Sequence, residues 1–450
     1  MSMEMKKPKI VITGAGMSGI ASAIYLLKAN IYDFIILEKS DTAGGTWREN
    51  RYPGLACDVP SHFYSYSFAP NANWSHRYAK GEEIQQYFLS VIEQYQLEKY
   101  IHFGEEVTSA QLIDNQWSIK TNKGQYHADF FICATGILHK INEPDIKGLA
   151  EFTAPVFHTA RWNDSVSLEN KRVAIIGSGS TSVQITCEIA EKVKKLTIFQ
   201  RTPHWVIQIP NPSYGKMSKW LLSKMPWMIK IIRKVYKWSL LTVFSDATAG
   251  KKLQFALLNK RVRQQYKTRI KSPSLRKKLT PDYTVGCKRL IISSGFFKCI
   301  QKENVEVVDQ AIDRLEGNCV ILKDGSRHEV DVLILATGFK ALNYMRPIQI
   351  TGRDNTDLYQ VWQQRITAYR SLMLPNFPNL FIIGGPYSPI GNYSIIDMTE
   401  VQLTYIMQLI TKWQQQKLDY IEPSKQALTN FTKHIDNGLN NGVWMTGCNS

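Results

Sequence analysis

Short apolar runs punctuate this chain, each ending in a polar or glycine-rich stretch. They are Ile10-Val11-Ile12, Phe34-Ile35-Ile36-Leu37, Phe130-Phe131-Ile132-Cys133, Val173-Ala174-Ile175-Ile176, Leu196-Thr197-Ile198-Phe199, Val332-Leu333-Ile334-Leu335 and Phe381-Ile382-Ile383. Runs of this length without alternation read as strands buried on both faces. Between them lie helix-forming stretches, such as Ile20 to Leu27 and about Met398 to Gln414. Strand followed by helix, repeated, predicts an α/β protein.

Two of the strands open the same glycine pattern. The first reads Thr13-Gly14-Ala15-Gly16-Met17-Ser18-Gly19, and the second Ile176-Gly177-Ser178-Gly179-Ser180-Thr181-Ser182. In the second, Ser182 stands where a third glycine would be. Glycines at this spacing allow a tight turn and let the backbone approach a pyrophosphate on the helix N-terminus. Twenty-four positions beyond each leading glycine stand Glu38 and Arg201. A carboxylate there accepts the ribose hydroxyls, whereas a guanidinium pairs with a 2′-phosphate. The chain is therefore expected to hold two dinucleotides, one unphosphorylated (FAD or NAD) and one NADP. The near copies Cys133-Ala134-Thr135-Gly136 and Leu335-Ala336-Thr337-Gly338 are each expected to close the sheet that one fingerprint opened.

This gives two Rossmann-like domains, the second inserted in the first. Residues 1–145 and 341–450 form the expected FAD-binding domain, and 150–340 the NADP-binding domain. A basic helical insertion spans about 205–280. The 450 residues suffice for two or three full cores. Between Thr202 and Thr280 stand eighteen Lys and Arg against a single acid, Asp246, which accounts for the whole net charge of +17. Trp220, Trp227, Ile231, Val235 and Trp238 interleave with those lysines. That mixture suits a helix lying on an anionic membrane surface, or a cap burying its apolar side on the second nucleotide fold. No nucleic-acid recognition motif accompanies it. No uncharged apolar run reaches membrane-spanning length. The seven cysteines include no CxxC, which argues against a disulfide reductase and predicts reduced thiols in a cytosolic setting. The nine histidines show no metal-ligand spacing, so no metal is expected.

Between Glu38 and the first long polar helix runs Gly44-Gly45-Thr46-Trp47-Arg48-Glu49-Asn50-Arg51-Tyr52-Pro53-Gly54-Leu55-Ala56-Cys57-Asp58, continuing through Val59-Pro60-Ser61-His62-Phe63-Tyr64-Ser65. With Gln200-Arg201-Thr202-Pro203 and Gly286-Cys287-Lys288-Arg289, this resembles the type I Baeyer–Villiger monooxygenases within the flavin-containing monooxygenases. The likeness is greatest to the 4-hydroxyacetophenone monooxygenase branch. The family fingerprint matches at Phe152, His158 and Trp162 and departs at Ala154 and Asn163.

The resemblance implies an NADPH- and FAD-dependent enzyme that forms a flavin C4a-peroxide. It inserts one oxygen atom of O2 beside a ketone carbonyl, giving an ester or lactone. Arg289 aligns with the family's catalytic arginine, and Asp58 would hold it. The resemblance and the fingerprints place Gly14, Gly16, Gly19, Glu38, Gly45, Thr46, Trp47, Asp58 and Tyr64 around FAD. They place Gly177, Gly179, Ser180, Thr181, Gln184, Arg201, Thr202, Lys288, Ala336, Thr337 and Gly338 around NADP. Lys288 would reach the NADP phosphate, and His158 would serve structure or a hinge. Gly384, Gly385, Pro386 and Gly391 are further backbone approaches to the flavin. Relatives extend beyond the segment matching Val443–Ser450, and a chain ending there would have a more open pocket. Two alternatives stand beside ketone oxidation: a heteroatom oxygenase acting on amines or sulfides, and a nucleotide-binding fold without turnover.

Overall fold

A computed structural model describes residues 6–388, 393–440 and 442–448 of the protein. Gly391, expected near the flavin, lies outside the described residues.

The first sheet is built from β1 (Ile10–Thr13), β2 (Phe34–Glu38), β3 (Ile101–Phe103) and β4 (Phe130–Cys133), with a fifth strand, Leu380–Ile382, from the far end of the chain. All its pairings are parallel, and β1 lies between β2 and β4. The Leu380–Ile382 strand pairs with β4, as its apolar run before Gly384 predicts. Helix α1 (Met17–Lys28) follows β1 and buries Ile20, Ala21, Ala23, Ile24 and Leu26.

The second sheet repeats the plan with β5 (Val156–His158), β6 (Arg172–Ile176), β7 (Lys195–Phe199), β8 (Val305–Val308) and β9 (Val332–Leu335). Its order is β8-β7-β6-β9-β5, again parallel throughout. Helix α2 (Ser180–Ile189) packs Val183, Ile185 and Ile189 into this sheet's core.

Each fingerprint strand sits at the centre of its sheet, so its glycine turn opens at the C-terminal edge, where such sheets take ligands. The chain passes between the sheets twice, and the two passes pair. Lys340 N–H donates to the Lys140 carbonyl and Asn142 N–H to the Gly338 carbonyl, each at 2.8 Å.

The basic segment is helical: α3 (Lys216–Lys224), α4 (Pro226–Ser239), a π-helical turn Leu240–Ser245, and α5 (Lys252–Arg269). It is only partly the cap on the second fold that its pattern allows. Leu258, Val262 and Tyr266 of α5 do enter the second core. In contrast, Tyr236 and Leu240 pack against the first. Among the described residues, no helix is long and apolar enough to cross a membrane.

Candidate active site

The first glycine turn is closed in by backbone. Gly14 has φ +100°, and a Cβ there would lie 2.7 Å from the Ala134 carbonyl oxygen. A Cβ on Gly19 would come 1.8 Å from the Gly14 carbonyl oxygen, so a side chain at either position must displace main chain. Gly16 precedes α1 without a side-chain cap, leaving first-turn N–H groups to an anion. Glu38, buried at the end of β2, accepts from Ala15 N–H at 2.7 Å and Ser40 N–H at 2.9 Å.

Gly45 lies against Gly16, where a Cβ would sit 3.1 Å from the Gly16 Cα. It starts the short helix Thr46–Glu49. Trp47 Nε1–H donates to the Tyr64 hydroxyl at 3.0 Å, and the two rings meet edge-on. Burial pushes the Tyr64 phenol well up, so it stays neutral. At the same C-terminal edge of the sheet, just past the Leu380–Ile382 strand, Gly384 N–H donates to Gln402 Oε1 at 3.0 Å.

The second turn copies the first. Gly177 has φ +122°, and a Cβ would lie 2.3 Å from the Ala336 carbonyl oxygen. Gly179 precedes α2, and a Cβ there would meet open space. Ser180 and Thr181 form the first turn of α2, and Ser182 is buried where a third glycine would stand. Arg201 follows β7 by two residues. It is exposed and, among the described residues, makes no hydrogen bond or ion pair.

The Ser178 hydroxyl donates to the Thr202 carbonyl at 2.6 Å and lies 3.2 Å from His204 Nδ1. Burial lowers the His204 pKa, and the charge of Lys288 lowers it further, which sets Lys288 beside this loop. The Lys288 ammonium stands over the Tyr283 ring at 5.2 Å.

Between the two turns runs the loop from Tyr52 to Asp58. The Tyr52 hydroxyl donates to Gln184 Oε1 at 2.8 Å, and Gln184 Nε2–H returns a bond to the Ala56 carbonyl at 2.9 Å. Gly54, at φ +80°, lets the loop lie against α2, since a Cβ would meet the Gln184 carbonyl oxygen at 2.7 Å. Gln184 is thus taken up by this loop. At the loop's end Asp58 forms an ion pair with Arg289. The Asp58 charge raises the Arg289 pKa above its ordinary value, against the effect of burial. The Arg289 side chain stays 41% exposed, so it has a face free for a ligand.

His158 ends β5 and is buried beside Phe339, with ring centroids 6.0 Å apart, where the second linker begins. Its Nδ1 accepts from Ala160 N–H at 3.1 Å. In the same linker the Thr337 hydroxyl donates to the Asn142 carbonyl at 2.6 Å.

Two features escape the sequence reading. One is a buried charge cluster. Arg233 of α4 donates to the Phe63 and Ser65 carbonyls and lies 3.3 Å from Asp397 and 3.4 Å from Glu400. Lys237 reaches Asp397 at 2.9 Å. The two acids lie on helix α6 (Ile395–Gln416). Burial raises the Glu400 pKa, opposed by Arg233. The signal was present: Asp397 and Glu400 stand three apart, on one face of a helix otherwise rich in apolar residues.

The other corrects the expectation of reduced thiols. Cys287 and Cys448 form a disulfide, with Cα atoms 6.2 Å apart and 161 positions between them. No short spacing could reveal it. The tail folds back so that Val443 is buried and approaches Gly286, and the Thr446 hydroxyl meets Cys287 Sγ at 3.5 Å.

A family model described as pyridine nucleotide-disulphide oxidoreductase matches residues 11–239, about half the chain. The chain is 43% identical over 444 residues to an uncharacterized monooxygenase of Mycobacterium tuberculosis, covering 98% of this chain and 89% of that one. It is 34% identical over 445 residues to a Baeyer–Villiger monooxygenase of Streptomyces coelicolor, covering 98% and 85%. A crystal structure of cyclohexanone monooxygenase from Rhodococcus sp. Phi1 bound to NADP+ superposes with a TM-score of 0.86. That pair is 28% identical, with 98% and 91% covered. The fold and its paired glycine turns define a flavin monooxygenase. The chain belongs to the Baeyer–Villiger monooxygenase family.

Proposed function

We propose that the protein is an NADPH- and FAD-dependent Baeyer–Villiger monooxygenase. It inserts one atom of O2 between a ketone carbonyl carbon and its neighbour, and the other atom leaves as water. FAD, when bound and reduced by NADPH, supplies the activated oxygen. The observation that carries the residue assignment is the Arg289–Asp58 pair, set where the two nucleotide folds meet.

The residues fit the two dinucleotides. The first cradle, Gly14, Gly16, Gly19 and Gly45, admits no Cβ at its closest points, and Glu38 presents a carboxylate where ribose hydroxyls would donate. Thr46, Trp47 and Tyr64 would flank the flavin side. The second cradle, Gly177, Gly179, Ser180 and Thr181, is accompanied by Arg201, which makes no ion pair among the described residues and suits a 2′-phosphate. Thr202 and Lys288 would lie along the same phosphate. Ala336, Thr337 and Gly338 would cover this cradle, as Ala134 covers the first. The proposed division is 1–145 with 341–450 for FAD and 150–340 for NADP, with the basic helices at about 205–280, and the two parallel sheets support it.

A guanidinium keeps its proton and offers a planar fork of donors. Arg289 would steady the negative charge that builds on a carbonyl oxygen when its carbon is attacked. Asp58 would fix the guanidinium's position and offset part of its charge.

Aerobic NADPH oxidation, followed with a panel of ketones and sulfides, tests this. Wild type is expected to form an ester or lactone, and Arg289→Ala to lose this product while remaining yellow. Sulfide or amine oxidation that survives Arg289→Ala would make the protein a heteroatom oxygenase. NADPH consumption without any product would mark a fold that does not turn over substrate.

A further inference from the structure

Helix α4 is apolar on two sides: Ile229 and Tyr236 turn inward, yet a second apolar stripe is left outside. A helix packed on its own protein ordinarily keeps one apolar stripe, facing inward, and its charges in water. Here Arg233 and Lys237 point inward, to Asp397, Glu400 and the carbonyls of Phe63 and Ser65. Trp227, Ile231, Val235, Trp238 and Leu241 point outward. Their spacing of three and four residues makes one stripe, about 20 Å long, that runs on into the π-helical turn. Trp227 is 54% exposed and Trp238 66%, and Trp220 of the neighbouring α3 is 61% exposed.

Lys230 and Lys234 lie exposed within the same stripe. Leu253 and Leu257 of α5, the helix that packs on the π-helical turn, are exposed as well. Charge decides what this surface suits. Of the segment's eighteen basic residues, Arg233 and Lys237 are taken up by Asp397 and Glu400, Lys251 by Asp246 and Lys278 by Asp309, and the others, Lys230 and Lys234 among them, form no ion pair among the described residues. An uncharged or basic partner would leave that field uncompensated. Tryptophan and lysine together on one exposed face match the interfacial zone of a bilayer, where rings sit at headgroup level and lysine stems reach anionic headgroups.

We propose that the outer face of α4, with α3 and the start of α5, docks on an anionic phospholipid surface. The helix lies in the interface plane and does not cross it. The Arg233 clamp holds this face to the first nucleotide fold through Phe63 and Ser65, which flank Tyr64. The inference does not depend on the oxygenation reading, because lipid binding is measured without substrate.

The test is sedimentation of the full-length holoenzyme with vesicles of phosphatidylglycerol and phosphatidylcholine, against phosphatidylcholine alone. Tryptophan emission is recorded alongside. Wild type is expected to pellet with the anionic vesicles and shift its emission to the blue. Trp227→Ser/Trp238→Ser and Lys230→Glu/Lys234→Glu should each bind about tenfold more weakly or worse. Tyr32→Ser, an exposed aromatic outside this segment, should bind as wild type.

Failure of wild type to bind anionic vesicles at low salt overturns the proposal. So does binding that ignores the tryptophan changes and vanishes at about 0.5 M salt, which is adsorption by charge alone. Self-association lost in the tryptophan variant, without lipid binding in wild type, would assign the face to a second copy of the chain. The lysine variant and the wild-type emission shift keep the test decisive if the tryptophan variant does not fold.

Discussion

Arg289 pairs with Asp58 across 231 positions of sequence, and the pair joins a loop of the first nucleotide fold to a segment of the second. The two residues are expected to act as a unit. Asp58→Asn should lower ester formation by about 10- to 100-fold, with FAD content unchanged. The double variant Asp58→Asn/Arg289→Ala should be no worse than Arg289→Ala alone, because the acid has lost what it positions. Full additivity in that cycle would show that Asp58 works apart from Arg289.

Arg201 is exposed and lacks a protein partner among the described residues, so removing it disturbs no internal contact. Arg201→Ala should raise the KM for NADPH about 10- to 100-fold through loss of a charge-assisted pair, and leave the KM for NADH nearly unchanged. Steady-state kinetics with both coenzymes check this. An equal effect on the two would move the 2′-phosphate site elsewhere.

His62 supplies a pH dependence. It is 1% exposed and packs on Tyr214, with ring centroids 5.1 Å apart. Burial holds its pKa down to about 4 from 6.5, a backbone group at Asn71 pulling slightly the other way. The unfolded chain therefore binds a proton first as pH falls. The stability His62 contributes is whole above pH 6.5 and drains away as pH falls through about 4, by about 3 kcal/mol in all. Melting curves of wild type should fall more steeply between pH 6.5 and 4 than those of His62→Phe. Parallel curves would show that the imidazole is not the group responsible.

The Cys287–Cys448 bond predicts a thiol count. In denaturant without reductant, five cysteines should alkylate: Cys57, Cys133, Cys187, Cys299 and Cys319. All seven should do so after reduction. Seven at the outset would mean the bridge does not form in the isolated protein.

The sheets and glycine turns were legible because each is a local pattern. A run such as Ile10–Thr13 carries its burial in its own composition, and Gly14 its backbone need in its neighbours. The expectation of two dinucleotides rested on equally local signals, Glu38 and Arg201 at one register, and FAD with NADP is what the relatives bind. The Tyr52–Gln184 contact, the Arg233 cluster and the bridge from Cys287 to Cys448 were not. Each joins residues more than a hundred positions apart, and no periodicity records which distant face a side chain meets. The basic segment was half legible. Its amphipathic pattern was plain, but a pattern does not say which residues turn inward, and here Arg233 and Lys237 do so beside Ile229 and Tyr236.

The paired linkers have a mechanical meaning. A domain hung on one strand of chain swivels like a ball joint. Here two strands lie side by side, held through Lys140–Lys340 and Asn142–Gly338. Bending across such a ribbon keeps these bonds, whereas twisting along it shears them. If the contacts of Gln184 and Arg289 with the Tyr52–Asp58 loop open, the second fold is expected to hinge about this ribbon rather than twist along it, which would keep Arg201 on one line of approach to the first.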